Sequence, residues 1–261
     1  MATISNPSSD DIAGEVSIRT LFESFRDSLD QHYDRRERIV KASRDITALS
    51  KKLIGLAHRV TQKPLKSILQ EANEKKDEIS QLFKEISLEL QGINYYRYHK
   101  NISPSIQEYI EAISFLEYLQ NDRLITKEEV ENKFKDETDY VLGLADLTGE
   151  LMRYAINSVG KGDHDRVIKV CQFLRDMKTG TLVLQMFFFH PPFTVSLTFT
   201  QYIKKKKDYD ILKVHPKSPL GRKVDTIRQS LSKVEDEYPK EFYQHIVSEH
   251  ARSYEYIEEE E

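Results

Sequence analysis

The sequence predicts an all-α protein, and three observations lead to this fold class. The 261 residues include only 9 Gly and 8 Pro, about 3 % each, whereas average usage is about 7 % and 5 %. Between Asn6 and Phe189 only three prolines occur, Pro7, Pro64 and Pro104. Charged residues make up 31 % of the chain, and apolar residues recur at helical spacing. This pattern is typical of long amphipathic helices rather than sheets.

The first predicted helix is very long. Residues 1–14 have the polar composition of a disordered terminus. An apolar stripe then runs from Ile18 to Val60, and no proline interrupts it before Pro64. One helix of about 45 residues fits this stretch, and such a length is typical of a bundle or an oligomer.

Further helices follow from the same periodicity. We expect them from about Leu65 to Gln91, from Asn94 or Ser105 to Gln120, from Tyr140 to Val159, from Asp163 to Thr179 and from about Leu220. Pro104 either kinks or starts the third helix. Thr126 and Glu129 form a capping box that opens a short helix. Gly180 is predicted to end the helix that precedes it.

One stretch departs from the helical pattern. Thr181 to Ile203 contains no charged residue over 23 positions, and four lysines follow directly. Its length suggests a membrane span, but Pro191 and Pro192 in its centre argue against a continuous helix. We interpret the stretch as an irregular insertion, either disordered or a retained intron. The predicted organisation is a disordered N-terminus (1–14), a helical bundle (15–180), an atypical hydrophobic and basic insertion (181–219), and a last helix with an acidic tail (220–261).

Composition excludes several function classes. The formal net charge is −4, so a nucleic-acid role must depend on a local basic patch. The single cysteine, Cys171, excludes an intramolecular disulfide and a Cys-cluster zinc site, and it lies in the apolar phase of its helix. The chain contains no Glu-x-x-His motif of di-iron bundles and no metalloprotease, P-loop or nucleophile-elbow motif.

Two pairs of acidic residues are candidates for chemistry. Glu108 and Glu111 are three residues apart, and Asp146 and Glu150 are four apart. Like charges four residues apart, as in Asp146 and Glu150, destabilise a helix by roughly 0.2–0.5 kcal/mol. A divalent cation shared by the four carboxylates would offset that cost, and hard oxygen ligands suit Mg²⁺ or Mn²⁺. Alternatively the acids form ordinary ion pairs, for example Glu150 with Arg153.

Two glycines in the same predicted helix are also unfavourable. Gly143 and Gly149 each cost about 1 kcal/mol relative to Ala inside a helix. These penalties need a compensating reason, which the shared cation would supply.

The first helix also carries a basic stripe opposite its apolar one. Nine Lys or Arg and three Asp or Glu lie between His32 and Lys63. The stripe consists of Arg38, Lys41, Arg44, Lys51, Lys52 and Arg59. Such a stripe can neutralise phosphates independently of sequence, or it is an ordinary solvated helix face.

Five stretches resemble the translin family, specifically its translin-associated factor X branch. They are HYDRRERIVKASRDITALSKKLIGLAHRV, SIQEYIEAISF, DYVLGLADLTGELMRYAINSVGKGD, VCQFLRDM and TIRQSLSKVE. GLADLTGELMR is the most specific of these. The resemblance implies a seven-helix bundle with a very long first helix, in the cytoplasm and nucleus. It also implies a Mg²⁺-dependent endoribonuclease subunit in a hetero-octamer with translin.

The resemblance extends to individual residues. It implies that Glu108, Glu111 and Asp146 are catalytic and that Glu150 is a further metal ligand. The implied substrate is single-stranded RNA, with single-stranded DNA as another possibility, including passenger strands in RNA interference and tRNA fragments. We expect Mg²⁺, or Mn²⁺, to be held mainly by Glu111 and Glu150, with Glu108 and Asp146 orienting the ion or the attacking water. The alternative function is a non-catalytic adaptor that stabilises translin; a membrane role is not expected.

Overall fold

The computed structural model describes residues 18–131, 137–189 and 219–237. Within these ranges the chain forms seven α-helices and no strand, which confirms the predicted all-α class. The helices are α1 (Ile18–Ala57), α2 (Leu65–Glu89), α3 (Ile93–Asn121), α4 (Lys127–Glu131), α5 (Glu137–Val159), α6 (His164–Phe189) and α7 (Pro219–Glu237). The predicted disordered residues 1–14, the acidic tail and most of the predicted insertion lie outside the described residues.

Local signals set most of the helix boundaries. The 40-residue α1 continues into a 3-10 turn, His58–Thr61, and α2 begins directly after Pro64. Gly92, with φ of 57°, separates α2 from α3. Such a positive φ costs a glycine little. Asp122 adopts the left-handed conformation that ends α3, and its N–H donates to the carbonyl of Tyr118.

Two sequence predictions about helix starts are resolved by the structure. α3 begins at Ile93, so Pro104 lies inside the helix rather than at its start. The capping box is confirmed: the Thr126 N–H donates to the Glu129 carboxylate at 2.7 Å, and the Glu129 N–H donates to the Thr126 hydroxyl.

The prediction that Gly180 ends its helix is wrong. α6 continues to Phe189, nine residues into the stretch that the sequence assigned to the insertion. A C-terminal glycine is only a local preference, and glycine inside a helix costs about 1 kcal/mol. This cost is too small to end α6 at Gly180, and the residues after it are helical as far as Phe189. Among the described residues, none of the helices combines the length and apolarity needed to cross a membrane.

The core lies around α3, which packs between α1 and α5, while α7 packs on α5 and α6. Ile39, Ile46 and Leu53 are fully buried at seven-residue spacing on α1, as expected for one face of a long helix. Cys171 is also buried, which confirms it as a core residue.

Gly143 allows α3 and α5 to approach closely. A Cβ atom at this position would lie 2.8 Å from the Gln107 carbonyl oxygen and from Ile110 Cβ. Any larger residue would therefore push the two helices apart. Gly149 differs, because a Cβ there would have no neighbouring atom within 4 Å. Close packing, rather than a bound cation, thus explains the glycine at 143.

We expect Gly143→Ala to lower the free energy of unfolding by about 1–3 kcal/mol, as overpacking in a core does. Gly149→Ala is the matched control. It gains helix propensity without a clash and should raise the free energy of unfolding by up to about 1 kcal/mol. Urea unfolding followed by far-UV circular dichroism measures both. A Gly143→Ala chain as stable as the native chain would contradict the close approach.

Candidate functional site

Two helices bring the four predicted acids to one place in the bundle. Glu108 and Glu111 lie on α3, and Asp146 and Glu150 lie on α5, beyond the point where Gly143 touches α3. The charges of Glu108, Asp146 and Glu150 all raise the pKa of Glu111. The four carboxylates therefore influence one another electrostatically, and we call them the acid cluster.

Glu111 is the most buried member of the acid cluster. It is 9 % exposed, and burial together with its acidic neighbours raises its pKa to about 8. No described residue donates a hydrogen bond to its carboxylate or lies within ion-pair distance of it. A buried acid without a partner is kept neutral by its surroundings, or it requires a cation.

Glu108 lies at the more open edge of the acid cluster. Its side chain is 21 % exposed, and the Lys51 ammonium lies 3.8 Å from its Oε2. Burial raises the pKa of Glu108, although the charge of Lys51 opposes the shift. Lys51 was predicted to bind RNA, and the structure places this member of the basic stripe beside the acid cluster.

Asp146 is paired with the last helix. The Lys223 ammonium on α7 donates a hydrogen bond to Asp146 Oδ1 and forms an ion pair with it. Both side chains are 28 % exposed. The last helix therefore contributes a cation to the acid cluster.

Glu150 is paired with the turn that follows the first helix. His58 Nε2 lies 2.5 Å from Glu150 Oε2, and this hydrogen bond is the main reason why the pKa of Glu150 is lowered. The predicted alternative partner, Arg153, lies 3.7 Å away. The His58 ring packs on Phe115 with centroids 4.8 Å apart, and its Nδ1 is buried without a hydrogen-bond partner.

The acid cluster has the donor chemistry of a hard-cation site but is arranged as ion pairs. In the described part of the chain, no group of three or more His, Cys, Asp or Glu side chains is placed to hold a metal ion. Asp146 and Glu150 are engaged by Lys223 and His58 instead. Carboxylate oxygens are nevertheless the ligands that Mg²⁺ prefers, and Glu111 lacks a cationic partner among the described residues. The donor set, but not its present arrangement, therefore suits a divalent ion.

A second polar network fixes α5 on α3 one turn before Gly143. Asp139 is buried and accepts hydrogen bonds from the Ser103 hydroxyl at 2.6 Å and the Gln107 amide at 3.0 Å. His99 Nε2 lies 2.8 Å from its other carboxylate oxygen. Asp139 therefore sets the register in which the two helices present their acids.

All six residues of the predicted basic stripe are exposed, with Arg59 in the turn after α1 and the others on α1 itself. Arg38 is neutralised by Glu89, which also pairs with Arg35. Lys51 pairs with Glu108. The other members form no ion pair with a described residue; they are Lys41, Arg44, Lys52 and Arg59. The stripe thus keeps four cations available to a partner.

The first half of α1 carries an exposed apolar face. Its buried residues begin only at Ile39, although apolar side chains recur from the start of the helix. The exposed members are Ile18, Leu21, Phe22, Phe25, Leu29 and Tyr33. An apolar face of this kind, left uncovered by the described bundle, is typical of an interface with another protein.

Sequence reasoning missed three residues of the site: His58, Lys223 and Asp139. His58 lies 92 residues from its partner Glu150, and Lys223 lies 77 residues from its partner Asp146. Asp139 lies 40 residues from His99. No local spacing indicates such contacts.

The comparisons with known proteins agree with this architecture. The model of the translin family matches residues 34–238. The chain is 33 % identical over 256 residues to translin-associated protein X of Rattus norvegicus, covering 87 % of this chain and 79 % of that protein. It is 25 % identical over 186 residues to translin of Gallus gallus, covering 66 % and 81 %.

Two solved structures share the fold. The crystal structure of apo-NeC3PO matches with a TM-score of 0.59 and 23 % identity, covering 83 % of this chain and 94 % of that one. The structure of the AfC3PO–duplex RNA complex matches with a TM-score of 0.56 and 19 % identity, at the same coverage.

The raised pKa of Glu111 predicts a pH-dependent stability. Between its ordinary pKa of 4.5 and about 8, the folded chain holds a proton that the unfolded chain releases. Stability therefore falls as pH rises through this window, by at most about 1.4 kcal/mol per pH unit. Glu111→Gln removes this fall, so its stability relative to the native chain should increase from pH 5 to pH 8.

Urea unfolding at pH 5, 6, 7 and 8 measures this difference. The control is Glu74→Gln, because Glu74 is exposed on α2 and its substitution should leave the pH profile unchanged. If the free energies of unfolding of the native and Glu111→Gln chains changed in parallel with pH, the strongly raised pKa of Glu111 would be contradicted.

Proposed function

The chain belongs to the translin family, on its translin-associated protein X branch, and we propose that it is a Mg²⁺-dependent endoribonuclease subunit. In this proposal it acts on single-stranded RNA inside a hetero-oligomer with translin. Removal of passenger strands in RNA interference and processing of tRNA fragments are the proposed uses of that activity.

One observation carries the catalytic part of the proposal. Four carboxylates from two helices converge around Glu111, which is buried, has a raised pKa and has no cationic partner among the described residues. Burying a carboxylate without a partner is costly. Natural proteins retain such costs mainly at functional sites, and a divalent cation would offset this one.

The proposed roles follow from each acid's surroundings. Mg²⁺ or Mn²⁺, when bound, would be held mainly by Glu111 and Glu150, and it supplies charge stabilisation at the phosphate and an activated water. Glu108 is the acid best placed to accept a proton, because it is partly exposed and burial raises its pKa. Asp146, once released from Lys223, would orient the water or the ion.

The basic stripe supports RNA as the ligand. Lys51 joins the stripe to the acid cluster through Glu108, so a phosphate backbone along α1 would lead to the acids. Contacts from lysine and arginine to phosphates carry no sequence information. One structure that shares the fold is a complex of AfC3PO with duplex RNA, which is a property of that protein and is consistent with this proposal.

The exposed apolar face of α1 supports a hetero-oligomer. It runs over about four helical turns, from Ile18 to Tyr33, and no described part of this chain covers it. A translin-type subunit presenting a matching apolar helix face is the proposed partner.

A non-catalytic adaptor is the second candidate function, and one observation favours it. Glu108, Asp146 and Glu150 all face basic groups of the chain itself, and no described group of three ligands is ready for a metal. In that case the acid cluster only holds α1, α3, α5 and α7 together, and the chain supports translin without cleaving RNA.

Loss of the acids separates the two candidates. We expect Glu111→Gln and Asp146→Asn, each co-expressed with translin, to lose Mg²⁺-dependent cleavage of single-stranded RNA by at least about 100-fold, as for removal of a group that acts in the transition state. Assembly with translin, measured by size-exclusion chromatography, should persist. Glu78→Gln, at an exposed position on α2, is the control and should cleave at the native rate.

The opposite result would favour the adaptor. Native-like cleavage by both acid variants, or absence of Mg²⁺-dependent cleavage by the native complex, would exclude the proposed site. If the acid variants no longer bound translin, Glu111 and Asp146 would have a structural role instead.

The basic stripe predicts salt-dependent RNA binding. Replacing Lys41, Arg44 and Lys52 with Gln should weaken binding to all RNA sequences. The logarithm of the association constant falls linearly with the logarithm of the salt concentration. The magnitude of this negative slope should decrease by roughly 0.7 for each phosphate that the variant no longer neutralises. Fluorescence anisotropy from about 50 to 200 mM salt, the range over which such affinities change strongly, measures this slope.

A second triple variant is the control for the basic stripe. Replacing Lys66, Lys84 and Lys233 with Gln makes the same charge change at exposed positions outside the stripe, and this chain should bind RNA as the native chain does. An unchanged slope for the variant of the stripe would show that its cations are merely solvated.

A further inference from the structure

We propose that Lys223 is a built-in counter-ion, which occupies the acid cluster and must be displaced before a divalent cation binds there. This inference rests on the proposed function, because it concerns the same acids. It explains why the chain carries four converging carboxylates while its described residues hold no group of three ready metal ligands.

The Lys223 ammonium acts on more than one acid. It pairs directly with Asp146. Its charge also lowers the pKa of Glu111 and of Glu108, opposing the effect of burial on each of them. The ammonium that pairs with Asp146 therefore takes the electrostatic place beside this acid that a bound cation would otherwise take.

The position of Lys223 is set by the packing of α7. Four apolar side chains of this helix are buried against the bundle: Val224, Ile227, Leu231 and Val234. Arg175 on α6 holds the other end of α7 through Glu235 at 3.0 Å. Since the backbone of Lys223 is fixed by this packing, only the rotamer freedom of its side chain is lost when the ammonium pairs with Asp146.

The remaining pairs occupy other acids and leave Lys223 as the one described basic group that competes with a cation for Asp146. His58 engages only Glu150, and Lys51 reaches only the outer acid, Glu108, at 3.8 Å. Among the described residues, Asp146 therefore depends on Lys223 for compensating charge, while Glu111 has no direct cationic partner. If binding of a divalent cation requires that Lys223 leave, the affinity for that cation is reduced by the coupling between the two, typically about 5- to 150-fold.

Direct binding of Mn²⁺ to the full chain tests the inference. In isothermal titration calorimetry, or by loss of the free Mn²⁺ signal in electron paramagnetic resonance, Lys223→Gln should bind Mn²⁺ at least about fivefold more tightly than the native chain. Lys223→Arg retains the charge and should bind as weakly as the native chain. Lys233→Gln makes the same charge change at an exposed position on the same helix and should also match the native chain.

Thermal unfolding gives a second readout that does not depend on catalysis. Without metal, Lys223→Gln should unfold at a lower temperature than the native chain, because Asp146 loses its partner. Addition of Mg²⁺ should raise the unfolding temperature of Lys223→Gln more than that of the native chain, since tighter binding of a ligand stabilises a fold more strongly.

The outcomes separate this inference from the proposed function. Equal or weaker Mn²⁺ binding by Lys223→Gln, with RNA cleavage by the native complex intact, would overturn only the role of Lys223. Absence of Mn²⁺ binding by all four proteins would overturn this inference together with the proposed metal site.

Discussion

The close contact between α3 and α5 is the constraint on which the rest of the molecule depends. Asp139, Gly143, Asp146 and Glu150 are spaced by four, three and four residues, so they share one face of α5. Asp139 fixes the register through Ser103 and Gln107, and Gly143 removes the side chain that would separate the helices. The acids of α5 then meet those of α3 within the bundle, and Glu111 is buried as a consequence.

Burial of that charge determines what the neighbouring helices contribute. An unpaired carboxylate in a core is destabilising, and the chain surrounds it with basic side chains from elements that are distant in sequence. His58 comes from the turn after α1 and Lys223 from α7. The acid cluster is therefore also the point at which the first and last helices are tied to the centre of the bundle, so its chemistry and the docking of α7 are physically linked.

The long first helix divides into parts with different surfaces. Its beginning is apolar and exposed, its middle carries the basic stripe above a buried face, and the turn that follows it brings His58 to Glu150. At 40 residues α1 is about 60 Å long, whereas the next longest helix, α3, has 29 residues. This length lets one element bear the proposed partner surface, the proposed RNA surface and one side of the acid cluster.

Local patterns in the chain are enough to specify the all-α class and most helix boundaries, and they single out the four acids as candidates. Helical periodicity, Pro64, Gly92 and the capping box at Thr126 act over a few residues, and each helix buries the face that its own residues define. The end of α6 was predicted wrongly, because the helix-stop preference of Gly180 is weak and the helix continues past it.

The packing of the helices established the remaining features: which basic groups meet the acids, why position 143 is a glycine and how deeply Glu111 is buried. Lys223 and Asp146 are 77 residues apart in the chain, and His58 and Glu150 are 92 apart. Contacts between helices that are so distant depend on how whole faces pack against each other. The spacing of residues within one helix carries no information about them.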